Sequence, residues 1–93
     1  MMNGDQAETV AIQALSWLAG QEELFGSFLN TTGASVNDVR GMAADPVFLG
    51  SVLDFILMTD ETVTGFCESA RLPPETPKQA RQFLPGGEMV NWT

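Results

Sequence analysis

The chain reads as an all-α domain, a compact bundle of five to six short helices. Three observations carry that reading. Apolar residues recur at three- and four-residue steps along most of the chain. Helix-start signatures punctuate it, the sharpest being Asp45-Pro46. No run alternates apolar and polar residues with β-branched enrichment, so no strand is expected. The bundle is expected to organise around a buried central helix at residues 46–58. Nine of the twelve residues Val47–Met58 are apolar, and only Ser51 and Asp54 are polar. These two sit three apart and share one narrow strip of a helix. A helix so apolar is covered by its neighbours on most sides.

Residues 1–4 read as a frayed end. Asp5 offers a cap for the first helix, with Glu8 as its box partner. Ala7, Val10, Ala11, Ala14, Leu15 and Leu18 then form its inner face, widened by Trp17. Gln21-Glu22-Glu23 opens a second helix with Leu24, Phe25, Phe28 and Leu29 inward, and Gly33 suits a left-handed stop. Ser35 and Asp38 are a capping pair for a short third helix with Val36, Val39, Met42 and Ala43 inward.

At Asp45-Pro46 the aspartate accepts from first-turn amides, while proline lacks an N–H that would go unpaired. The central helix is expected to run to about Thr59. Asp60 caps a fifth helix with Val63, Phe66, Cys67 and Ala70 inward. Leu72-Pro73-Pro74 forces an extended turn. Thr76-Pro77 opens a sixth helix, to about Leu84, with Ala80, Phe83 and Leu84 as its apolar residues. Pro85-Gly86-Gly87 ends the single domain, 5–87, and 88–93 form a short tail.

A shift of thirty-eight positions lays Ala14-Leu15-Ser16-Trp17-Leu18 on Val52-Leu53-Asp54-Phe55-Ile56, Phe28 on Phe66 and Arg40 on Lys78. The chain thus reads as two pseudo-symmetric three-helix halves. Neither half has apolar surface enough to close alone, so the two long helices should bury each other.

Twelve acids against four bases give a net charge of −8. That field repels nucleic-acid phosphate and anionic membrane surfaces, so neither is an expected partner. It favours a basic partner. Val47–Met58 would span about 18 Å as a helix, short of the roughly 30 Å of a bilayer core. Met1–Asp5 has no basic or apolar leader pattern, so no signal peptide is expected. A lone cysteine, Cys67, fits a reducing cytoplasm.

Histidine and tyrosine are absent. That removes the commonest general base, the commonest metal ligand and any Ser-His or Cys-His pair. Neither zinc spacing nor a phosphate-cradling glycine loop is present, so no cofactor, metal or catalytic residue is assigned. Cys67 falls on an inner face and reads as a small core residue sooner than a reactive thiol. Glu22-Glu23 and Asp60-Glu61 could hold calcium or a basic partner, but helix starts favour acids without any ligand. Asp54 lies on the exposed strip or, if enclosed, needs one of Arg40, Arg71, Lys78 and Arg81. Met89 and Trp92 are candidate partner contacts, since a tail tryptophan either packs back on its domain or docks elsewhere.

Asp45-Pro46-x-Phe48-Leu49-x-x-Val52-Leu53-Asp54-Phe55 resembles the alphaproteobacterial domain-of-unknown-function 3572 family. So do Ala14-Leu15-x-Trp17-Leu18, Thr32-Gly33, Asp60-Glu61, Phe66-Cys67, Leu72-Pro73-Pro74-Glu75 and Pro85-Gly86-Gly87. The likeness spans roughly residues 7–87 and departs at Ala34 and Arg71, where it leads one to expect leucine and glycine. It implies a small helical bacterial protein and carries no activity, cofactor or site.

The leading expectation is therefore a non-enzymatic cytoplasmic protein-interaction or scaffolding domain, with a protein partner or self-association through an acid-edged apolar groove between the halves. One alternative is a carboxylate-only enzyme or small-ligand-binding domain using Asp54 with Asp60 or Glu61. Another is an acidic antagonist of a basic partner.

Overall fold

In the computed structural model, which describes residues 2–85, α1 (Gly4–Ala19) and α4 (Pro46–Ile56) lie against each other. Around them run α2 (Glu22–Thr32), α3 (Val36–Met42), α5 (Asp60–Ala70) and α6 (Thr76–Gln82). Among the described residues there is no strand. Phe48, Leu49, Val52, Leu53 and Ile56 of α4 are all buried, and so is every inward position assigned above to α1. The core-facing side of the central helix is covered by its own chain.

Local signals set most of the helix ends. Ser35 and Asp38 form a reciprocal capping box, Asp45 accepts from the Val47 N–H ahead of Pro46, and Gly33 adopts φ 74°. Four helix ends differ from expectation. α1 is capped by Asn3, not Asp5: Asn3 Oδ1 accepts from Gln6 N–H and Gln6 Oε1 accepts from Asn3 N–H. Met2, assigned above to a frayed end, packs on the core. α4 ends at Ile56 rather than near Thr59, because Thr59 turns extended and caps α5 through the Thr62 N–H, displacing Asp60 from that role. α6 has no side-chain cap: Thr76 is buried inside the helix, and its N–H bonds the Pro73 carbonyl. Val36, expected inward, is exposed, and so is Phe83, one of the apolar residues assigned to the sixth helix.

The halves correspond closely in their first two helices. Val10 and Phe48, Ala11 and Leu49, Ala14 and Val52, Leu15 and Leu53, and Leu18 and Ile56 are thirty-eight apart, and all are buried. α2 and α5 match residue for residue, with Phe28 and Phe66 each fully buried. The third helices break the correspondence. α6 packs across both α1 and α4, using buried Thr76, Pro77 and Ala80. α3 has only Val39 buried and makes no comparably extensive contact with either long helix.

The stops after α2 and α5 also match. Gly33 and Arg71 are thirty-eight apart, and both are left-handed; Arg71 has φ 58° and ψ 48°. The Leu72 N–H reaches back to the Cys67 carbonyl and completes a Schellman-type stop. A side chain in this conformation crowds its own carbonyl at a cost of roughly 1–2 kcal/mol, which glycine avoids. Arg71→Gly is therefore expected to raise stability by about 1 kcal/mol. The check is a higher urea midpoint at unchanged slope.

Candidate functional site

The stand-off of α3 leaves apolar surface of α4 and of the turn after it uncovered. Val47 and Met58 are 61% and 69% exposed, and Phe55 is half-buried. Val47, Ser51, Phe55 and Met58 follow one another at three- and four-residue steps, so they share a face. Two adjoining clefts open along that face. One, about 420 Å³, lies between α4, the end of α2 and Met42 at the end of α3. The other, about 610 Å³, has Trp17, Leu24, Phe55 and Met58 as its apolar lining. Thr31, Phe55 and Met58 line both, so the two form one groove walled by residues of both halves.

The groove is floored by aromatic packing. The Phe28 ring lies 5.7 Å from Phe48 and 5.5 Å from Phe55, both edge-on. Trp17 lies 6.1 Å from Phe66 and crosses α5 at Gly65, where a Cβ would come within 3.0 Å of its ring. Such a floor holds its shape while its upper face stays open to water.

The acids on the groove's edge are already engaged locally. Asp45 caps α4. Asp54 is on the exposed strip: its side chain is 60% exposed and pairs with Arg81, whose side chain is 17% exposed. Arg81 Nε donates to Oδ1 at 2.6 Å and Nη2 donates to Oδ2 at 3.2 Å. Glu61 lines the larger cleft only, and Asp60 lines neither. The structure therefore does not bring Asp54 together with Asp60 or Glu61. Asp54 is also not the enclosed acid that carboxylate-only catalysis needs. Glu22, Glu23, Asp60 and Glu61 all occupy first turns, where the helix dipole accounts for them. Among the described residues, no three cysteine or carboxylate side chains group to hold a metal, and no helix is long and apolar enough to cross a membrane. Met89 and Trp92 lie outside the described residues.

The profile of a family described as "Protein of unknown function (DUF3572)" matches residues 4–87. The chain belongs to the DUF3572 family. No curated protein and no solved structure matches it. In this DUF3572 domain the one cysteine lines neither cleft of the groove. Cys67 is 4% exposed, and its thiol donates to the Pro73 carbonyl at 3.5 Å. Burial, and secondarily the Glu75 charge, push that thiol up from its ordinary pKa. Thiolate is scarce there, so Cys67 packs as a small apolar residue rather than serving as a nucleophile.

An apolar groove between the halves was expected, but its lining residues were not assigned from the sequence, although the central segment carried their signal. Nine apolar residues in twelve exceed what one core face accepts. The surplus at Val47, Phe55 and Met58 falls on a single second face.

Proposed function

We propose that this protein is a non-enzymatic interaction domain of the bacterial cytoplasm, and that its groove receives an amphipathic helix with basic flanks from a protein partner. The observation that carries the reading is the groove itself: exposed Val47 and Met58 beside half-buried Phe55 and Trp17, walled by both halves. An apolar strip of this kind fits the i, i+3, i+4, i+7 face of a docked helix. The net charge of −8, with Glu61 and Asp45 at the edges, favours basic flanks. The single buried cysteine suits a reducing compartment.

Met58→Asp places a charge in the groove at a site too exposed to disturb the fold. The wild-type and variant chains are used as paired baits. The segment bound by the wild type is then made as a peptide and titrated into both. We expect a basic amphipathic segment whose affinity falls about tenfold or more with Met58→Asp, as loss of one buried apolar anchor implies. A partner retained equally by both baits, or one bound through an acidic or extended segment, overturns the proposal.

A further inference from the structure

Four sulfur-bearing side chains lie among the described residues, and they differ in access to water. Cys67 is 4% exposed, its thiol donates to the Pro73 carbonyl, and burial favours its protonated form. A protonated, enclosed thiol oxidises slowly. A thioether has no proton to lose, so exposure governs its reactivity. Met2 and Met42 are partly buried against the core, whereas Met58 is 69% exposed.

Met58 is also fixed at the point where the two clefts meet. Its N–H donates to the Phe55 carbonyl at 3.2 Å, and the next residue, Thr59, is committed to capping α5. Met58 lines both clefts, Met42 lines only the smaller one, and Met2 lines neither. The most accessible sulfur among the described residues therefore stands at the centre of the groove.

We infer that Met58 is an oxidation site, and that its sulfoxide turns the centre of the groove polar and weakens docking there. The inference rests on the groove being a docking surface and adds control of it by hydroperoxides. The step is an oxygen-atom transfer. The sulfur lone pair attacks the terminal oxygen of the hydroperoxide, and an S–O bond forms as the O–O bond breaks. Sulfur is oxidised by two electrons. The hydroperoxide proton passes to the departing oxygen, which leaves as an alcohol, or as water from hydrogen peroxide. A reductase drawing on a dithiol reverses the change, releasing water as the two thiols form a disulfide.

The new oxygen accepts hydrogen bonds from water, and an apolar partner face would strip them without replacement. Because Met58 stands largely in water, the polar product is expected to leave the interior intact. The surface would then switch while the fold persists.

The test treats the full chain with limiting hydrogen peroxide and follows each sulfur by peptide mass mapping. Met58 should gain one oxygen atom several-fold faster than Met2 or Met42, while Cys67 stays a free thiol. In parallel, Nile red, a neutral dye that brightens on apolar surfaces, reports on the groove. Oxidised wild type should lose roughly half or more of that emission, as a polar group amid an apolar lining implies, at an unchanged urea midpoint. Met58→Gln should start dim, and Met58→Leu should stay bright through the same treatment. Oxidation of Met2, Met42 or Cys67 at an equal or faster rate overturns the inference. So does wild-type emission that oxidation leaves unmoved, an equal loss in Met58→Leu, or a fallen urea midpoint. None of these readouts needs the partner, whose affinity is read separately through Met58→Asp, so a failure here leaves the groove reading standing.

Discussion

Phe28→Ala is expected to destabilise the fold by about 3–5 kcal/mol, most of what a domain this size has to spare. The Phe28 side chain is fully buried, and its ring joins α2 to α4 through Phe48 and Phe55, with Phe25 stacked at 6.5 Å. Removing it opens a ring-sized cavity between helices that cannot close on each other, and it forfeits edge-on pairs worth roughly 0.5–1.5 kcal/mol each. Urea unfolding should show the midpoint falling in proportion. Phe83 gives the control. It lies exposed just after α6, and Phe83→Ala should stay within about 0.5 kcal/mol of wild type.

The second large effect is expected at Gly50, which is buried in the middle of α4. Ordinarily a helical glycine gains up to about 1 kcal/mol on becoming alanine. Here the new Cβ meets a guanidinium tied to four acceptors and a backbone carbonyl, neither free to retreat. Gly50→Val should therefore cost about 1–3 kcal/mol through displacement of Arg81 and the Pro85 turn. Gly26 lies inside α2 with nothing within 4 Å of its ideal Cβ. Gly26→Ala should accordingly stabilise by about 0.5–1 kcal/mol. Opposite signs at the two helical glycines are the expected result, measured by thermal unfolding. The Asp54 pair itself contributes little, since its carboxylate is mostly in water.

Most of the fold was legible because the sequence states its helix boundaries chemically. Ser35 with Asp38, Asp45 with Pro46 and Gly33 each admit one reading, and each occurs as read. Two of the boundaries that slipped, the starts of α1 and α5, have two good caps in competition. Asn3 with Gln6 competes with Asp5 with Glu8, and packing of Met2 on the core accompanies the earlier choice. Thr59 likewise stands beside Asp60. Such ties are decided by tertiary contact, which local spacing does not encode. The groove was harder for the same reason. Exposure of Val47 and Met58 depends on α3 failing to dock as α6 does, and that follows from one buried residue against three. Acidic pairs drew attention because they are conspicuous as letters, yet in three dimensions they stay at helix starts.

The weak seating of α3 has a consequence for recognition. This short segment lies between Gly33 and Asp45, rests on Val39 and forms one bank of the cleft. A bank held by so few buried side chains is the part of the wall expected to yield first, so the channel is expected to widen to suit visitors of different girth. Each visitor must then supply the free energy to settle that bank again, which trades tightness of grip for breadth of choice.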